Sequence, residues 1–385
     1  MALTLHGTVS DNTVALDRKT ATPLIINGDM AIAQRGTSAT TLALSAGGFR
    51  YNDVDRVSIN AGNISTGQIS TEQINSGLDG FPKAKRITVT TAESSPATSG
   101  YLSIQYGMEA QNLQLLKYGT SNALPITLSF YVRSSVTGTF IGNIIQVDSR
   151  PSENRVFPYN YTINSANTWE KKVINIDADT SGVISNDNGL GFEINLTYLY
   201  IGSNYTSGTV NTWNSNASGN SYMNNPTRVN LLATSGATFD MTAVQLEIGT
   251  FDANSIPDFQ FEDRGTSLMR CMRYTQCFGG NNNKETFCSG GCNTTTIQTM
   301  LIEHKTEMRT TPSVSVSALN DFQVVVPSGF ATATTSITLA TDNSGPTAST
   351  ITTNTTSQSA SQVGRYCNLR CVDVTNGKLT LSAEL

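Results

Sequence analysis

Between about residues 22 and 265, short apolar runs alternate with clusters of Gly, Asn, Asp, Ser and Thr, the pattern of many strands joined by turns. The runs "RITVTT" (86–91), "YLSIQYG" (101–107), "PITLSFYVRSS" (125–135) and "TFIGNIIQV" (139–147) read as strands. So do "WEKKVINI" (169–176), "LGFEINLTYLYIG" (190–202) and "ATFDMTAVQLEIG" (237–249). Alternation is cleanest at 126–133, where Ile126, Leu128, Phe130 and Val132 share one face and Thr127, Ser129, Tyr131 and Arg133 the other. The pattern at 169–176 is poorer, with Lys171 beside Val173 and Lys172 beside Ile174. "PLIIN" (23–27) reads as a short strand entering an "NGD" turn. One helix candidate lies at 108–119, where Leu113, Leu116 and Lys117 have helical spacing and Gly119 supplies a left-handed stop. This frequency of strands and turns predicts a jelly-roll β-sandwich.

The C-terminal third repeats the pattern on a smaller scale. "GTSLMRCMRY" (265–274) predicts a helical turn or two at the joint. Strands are expected at 294–304, 313–319, 322–327, 336–341, 365–374 and 378–385. The polar, low-complexity stretch 344–362 is expected to be a loop or a weakly ordered strand pair. The fold class expected is all-β: a short N-terminal arm (1–21), a jelly-roll domain (22–265) and a second, smaller β-sandwich (266–385).

Composition narrows the function. Only 14% of the 385 residues are charged, and the net charge is −5, which argues against a protein that neutralises nucleic-acid phosphates. No apolar run approaches the roughly 20 residues of a membrane helix, so no membrane insertion is expected. The start, "MALTLHGTVSDN", lacks the basic and apolar regions of a secretory signal, which suits a protein made in a bacterial cytoplasm and released by lysis. All six cysteines (Cys271, Cys277, Cys288, Cys292, Cys367 and Cys371) lie in the last third. Their spacings match no zinc ribbon, and buried thiols are favoured over disulfides or a metal site.

Catalytic chemistry finds little support. His6 and His304 stand beside no nucleophile motif, and carboxylates are scarce, so no enzyme is expected. "DADTSGVISNDNG" (177–189) has Asp177, Asp179 and Ser181 at calcium-loop spacing but Asn188 where such a loop needs Glu, and reads as a turn. No cofactor is required. A structural calcium is a candidate at Asp29 and Asp240, which pairing of the first and last strands would bring to one edge. The aromatics are more suggestive. Tyr205, Trp213 and Tyr222 lie in a nearly charge-free loop from about 203 to 227, rich in Asn, Ser, Thr and Gly. Sugar rings stack on such rings and hydrogen-bond to such amides and hydroxyls. The plainer alternative is that Tyr198 and Tyr200 cover a sheet face while Trp213 anchors a loop.

Several segments, taken together and in order, carry a resemblance: "LIINGDMAIAQRGTS", "YNDVDRV", "GMEAQNLQLLKYGTSNALPITLSFYVRSSVTGTF", "INSANTWEKKVINIDADTSG", "NDNGLGFEINL", "NLLATSGATFDMTAVQLEIG" and "EDRGTSLMRCMRYTQCF". Over about residues 22–278 the chain resembles phage tail-fibre and receptor-binding proteins with a carbohydrate-binding-module-like jelly roll. The resemblance implies a virion tail subunit, assembled in the host cytoplasm, usually a homotrimer and without catalysis. The partners implied are other phage tail proteins, held through the N-terminal arm, and a host-surface polysaccharide. An architectural tail or adaptor subunit without sugar binding is the alternative, and a polysaccharide depolymerase a more distant one.

Overall fold

The computed structural model describes residues 19–147, 154–216, 222, 227–280, 285–326, 331–356, 358–372 and 377–385. The expected arm, up to residue 18, and part of the aromatic loop lie outside the described residues. The chain divides into two compact units between Arg264 and Gly265.

The first unit carries the strands β1 (Thr40–Ala43), β2 (Gly48–Arg50), β3 (Val57–Gly62), β4 (Gln68–Leu78), β5 (Phe81–Thr91) and β6 (Tyr101–Glu109). They continue with β7 (Ile126–Ser134), β8 (Gly138–Gln146), β9 (Arg155–Ile163), β10 (Glu170–Ile176), β11 (Leu190–Ile201), β12 (Asn214–Ser215) and β13 (Thr238–Ile248). One sheet runs β1-β4-β5-β13-β7-β10 and the other β12-β9-β8-β11-β6-β3-β2. Within them, β5-β13-β7-β10 and β6-β11-β8-β9 are the two interleaved four-strand sets of a jelly roll, in which the chain crosses between sheets at nearly every connection.

The core lies between the sheets. On β7 the alternation holds residue by residue: Ile126, Leu128, Phe130 and Val132 are all fully buried. Aromatic rings close the gap. Phe130 meets Tyr161 edge to face at 5.3 Å, Tyr161 stacks on Phe140 at 5.9 Å, and Phe140 meets Phe239 at 5.4 Å. Each such side chain contributes about 1.5–3 kcal/mol by leaving water. Lys85 also points inward, with the carboxylate of Asp53 as its ion-pair partner, and Asp53 accepts from the Thr71 hydroxyl at 2.6 Å.

Two local expectations change. Residues 23–27 form turns, not a strand. Asn27 has φ +60°, and its side chain bonds Ile32 N, Ile32 O and Asp55 O, replacing a sheet partner. Gly28 beside it packs so close to β13 that a Cβ would lie 2.0 Å from the Val244 carbonyl oxygen. The helix expected at 108–119 is a 3-10 segment, Ala110–Leu116, burying Ala110, Leu113 and Leu116, and Lys117 already takes the left-handed conformation ahead of Gly119.

The second unit begins within helix α1 (Arg264–Met272) and continues with β14 (Thr275–Gly279), β15 (Thr286–Cys292), β16 (Ile297–Glu303), β17 (Ser313–Val316) and β18 (Phe322–Val325). Then come β19 (Ala331–Leu339), β20 (Ala348–Thr355), β21 (Tyr366–Cys371) and β22 (Lys378–Ser382). It is all-β as expected, but its form is not two open sheets. The strands β15-β16-β20-β19-β18-β21 close into a barrel beside a three-stranded sheet, β14-β22-β17. Closure removes the edges that so polar a set of strands would expose. β20 runs through the low-complexity stretch. Its inward Thr353 and Thr355 are satisfied by Gln298 at 3.0 and 3.2 Å, so polar residues sit inside without an apolar signal. The six cysteines are free thiols, and all but Cys277 are buried. Burial pushes the Cys288 thiol up to about 12. His304 is held at both ring nitrogens, by Pro346 O and the Ser349 hydroxyl.

Glu93 yields a stability prediction. It accepts from the backbone N–H groups of Ser65, Thr66 and Gly67 at 3.3, 2.8 and 2.6 Å and so shapes the β3–β4 turn. Burial by itself would raise this carboxyl; the backbone donors, with the Ser65 hydroxyl, outweigh it and hold it at about 2. A depressed carboxyl stabilises the fold above its ordinary value of 4.5, and that share is lost as pH falls from there through about 2. Glu93→Gln should cost about 1–3 kcal/mol at neutral pH. Denaturant melts should show a flatter pH dependence for the variant across that acid window than for the wild type.

Candidate functional site

The outer face of the seven-stranded sheet carries a cleft. Alternation places Tyr101, Ser103 and Gln105 of β6 outward while Leu102, Ile104 and Tyr106 join the core. Asn60 of β3 and Ile141, Asn143 and Ile145 of β8 stand on the same outer face by the same rule. On β11, Phe192, Ile194 and Leu196 face inward and Glu193 and Asn195 outward. A register shift between Asn195 and Thr197 then reverses the parity. Thr197 turns inward to the Tyr161 hydroxyl at 2.9 Å, and Tyr198 comes out onto the cleft face.

The result is a cleft of about 320 Å³ lined by Asn60, Tyr101, Gln105, Ile145, Glu193, Asn195, Tyr198, Ile201, Tyr205 and Tyr222. Its rim is aromatic. Tyr205, in the 3-10 turn after β11, bonds Ser99 O at 2.9 Å and meets Tyr101 at 6.2 Å and Tyr222 at 5.5 Å, both edge to face. These rings form a hydrophobic cluster of their own with Ile141, Tyr198 and Ile201, separate from the main core.

The floor is polar and linked. Glu193 Oε1 accepts from Gln105 Nε2 at 2.5 Å and from Asn195 Nδ2 at 3.2 Å. Asn195 Nδ2 also donates to Asn143 Oδ1 at 2.8 Å, and Asn143 Nδ2 donates to the Tyr198 hydroxyl at 3.2 Å. Burial raises the Glu193 carboxyl, against the two amides that favour its charged form. Burial likewise pushes the Tyr198 hydroxyl well above its ordinary value, so Tyr198 stays a neutral phenol. Four buried polar atoms on this face have no partner among the described residues: Asn60 Oδ1, Ser103 Oγ, Gln105 Oε1 and Asn195 Oδ1. Leaving such a group without a partner costs about 1–3 kcal/mol.

The structure brings Tyr205 and Tyr222 together in this cleft and places Trp213 elsewhere. Trp213 packs against the main core, on Tyr118 at 5.9 Å and Phe157 at 5.5 Å, and its indole N–H donates to Asp177 O at 2.7 Å. It anchors the loop, the plainer of the two sequence readings. Asp29 lies in its turn and accepts from Ala31 N at 3.4 Å. Asp240 is held by Arg86 and Arg133, which reach its two oxygens at 2.7–2.9 Å. A cation at Asp240 would meet a carboxylate already neutralised by two guanidinium groups. Among the described residues, no group of three or more His, Cys, Asp or Glu is placed to hold a metal ion. Sequence reasoning did not single out Tyr101, Gln105, Glu193, Asn195 or Asn60. The outward Tyr-x-Ser-x-Gln of β6 was a readable signal. The sequence put Tyr198 and Tyr200 on one sheet face; the bulge instead sends Tyr198 into the cleft while Tyr200 joins the main core.

No family model matches the sequence, and no curated protein matches it. Three solved structures show the range of similarity. The enzymatically active domain of bacteriophage CBA120 tailspike protein 4 matches over 59% of this chain and 21% of its own, at 11% identity and a TM-score of 0.27. The family 11 carbohydrate-binding module from Clostridium thermocellum, in complex with a β-1,3-1,4-mixed-linked tetrasaccharide, matches over 56% of this chain and 99% of its own, at 14% identity and a TM-score of 0.26. The CBM22-1 xylan-binding domain from Paenibacillus barcinonensis matches over 57% of this chain and 100% of its own, at 8% identity and a TM-score of 0.26. This chain is similar to all three, and at these values the likeness carries no inference about function.

Proposed function

We propose that this protein is a non-catalytic attachment protein of a phage tail that binds host-surface glycan in the cleft of its jelly-roll unit. The observation that carries glycan binding is the cleft itself: four tyrosine rings over a floor of amides whose buried oxygens lack partners. Rings supply stacking faces, and unpaired amide oxygens supply acceptors for hydroxyl groups. Among the described residues a single carboxylate, Glu193, lines it, whereas glycoside hydrolysis uses a pair. The tail assignment and the homotrimer rest on the resemblance carried by residues 22–278. Three clefts per trimer would multiply a weak single-site affinity through effective concentration.

An architectural subunit is the second reading, and one observation favours it. On the outer face of the six-stranded sheet, Phe81, Tyr131, Phe259 and Phe261 form an aromatic cluster, with Phe261 53% exposed. A protein partner could cover that face.

Substitution separates the readings. Tyr205→Ala and Tyr222→Ala should each weaken binding to a glycan array by about 1–2 kcal/mol, roughly five- to thirtyfold. Trp213→Ala should cost about 2–4 kcal/mol of stability and leave glycan affinity unchanged. Adsorption to host cells that is indifferent to the two tyrosines would favour the architectural reading. Light scattering should give a mass near three times 41.2 kDa, and a clean monomer would remove the trimer.

A further inference from the structure

The cleft has a polarity as well as a shape, and one residue sets it. Glu193 lines the cleft as an acid that accepts hydrogen bonds from two side-chain amides. Three buried carboxylates of the unit are treated differently: Asp53 faces Lys85, Asp179 faces Arg155, and Asp240 faces Arg86 and Arg133. Among the described lining residues of the cleft there is no Lys, Arg or His. The groups facing Glu193 are the phenols of Tyr101, Tyr198 and Tyr222 and the amides of Gln105 and Asn195.

This carboxylate fixes the direction of its neighbours. A carboxylate accepts only, so Gln105 and Asn195 must each turn an N–H toward it. Their oxygens then have to point away. Those are the two oxygens, Gln105 Oε1 and Asn195 Oδ1, that are buried without partners. Asn195 passes the same polarity to Asn143, whose oxygen accepts and whose amide donates onward to Tyr198. Asn60 Oδ1 adds a further unpartnered acceptor on a residue only 8% exposed. The floor therefore offers oxygen lone pairs and negative charge, and asks its ligand for donors.

We propose that the cleft selects glycans that donate hydrogen bonds and carry no negative charge, uncharged or amine-bearing oligosaccharides, and that Glu193 is the residue that sets this selectivity. The inference rests on the glycan-binding reading above and names its substrate class. Uronic, sulfated or sialylated chains bring acceptors and charge of the wrong sign into a half-enclosed site, where a like-charge contact is weakly screened.

The test is an array of matched oligosaccharides at pH 8 and low salt: hexose oligomers, their 6-carboxylate forms and their 2-amino forms. Wild type should bind the carboxylate forms at least about tenfold more weakly than the neutral ones. The amino forms should bind as well as the neutral ones or better. Glu193→Gln keeps an oxygen for the two amides but removes the charge, and should close most of the gap between carboxylate and neutral forms. A thermal melt matching the wild type would show that the variant is folded. Equal or tighter binding of the carboxylate forms by the wild type would overturn the charge filter. A gap that persists unchanged in folded Glu193→Gln would overturn the role of Glu193. Failure of all three classes to bind wild type would overturn the glycan-binding reading itself, a result distinct from the other two.

Discussion

β11 is the strand on which both faces of the jelly roll are settled. It lies between β8 and β6 in the seven-stranded sheet and gives Phe192, Ile194 and Leu196 to the core. The same strand gives Glu193 and Asn195 to the cleft. Strict alternation would carry Tyr198 inward, but the shift after Asn195 lets Thr197 take the inward place against Tyr161. β13, central in the other sheet, carries a comparable irregularity between Thr242 and Gln245, with Ala243 at φ +54°. In each case one extra residue re-aims the side chains that follow it while the core stays filled. The cleft exists because the core could be completed without Tyr198.

Electrostatics divides the unit in the same way. Three carboxylates that serve the fold have a cation or a row of backbone donors: Lys85 for Asp53, two arginines for Asp240, three N–H groups for Glu93. Pairing or multiple donation offsets the cost of taking charge out of water. Glu193 is placed at higher cost, with two amides only, and the unpaired oxygens around it add to that cost. Four unsatisfied polar atoms, on Asn60, Ser103, Gln105 and Asn195, lie together on the same face as Glu193.

The second unit solves another problem. Its strands are rich in Thr, Ser and Cys, and apolar side chains are few. Closing six strands into a barrel removes the edges, and thiols, methionines and a buried Gln298–Thr353–Thr355 set share the interior with residues such as Phe322, Val324, Ile351 and Leu369. Cys288, Cys292, Cys367 and Cys371 act there as small apolar groups.

The sequence by itself determined the all-β class, most of the jelly-roll strands and the core face of β7, because a two-residue apolar period reports directly which side of a strand leaves water. It also pointed to Tyr205 and Tyr222, since exposed rings among amides and hydroxyls in a charge-poor loop are a local signal. β20 was legible only as a loop or a weakly ordered strand pair, because of its four inward residues only Ile351 is apolar, and the hydroxyls of Thr353 and Thr355 find Gln298 only once the barrel closes. Trp213 looked like a surface ring until the fold set it on Phe157 and Tyr118. Tertiary structure alone decided that Tyr101, Gln105, Glu193 and Tyr198 share a cleft with the two loop tyrosines. They come from strands far apart in the chain, and strand order, register and a bulge are set by packing over the whole sandwich, which no local window of residues contains.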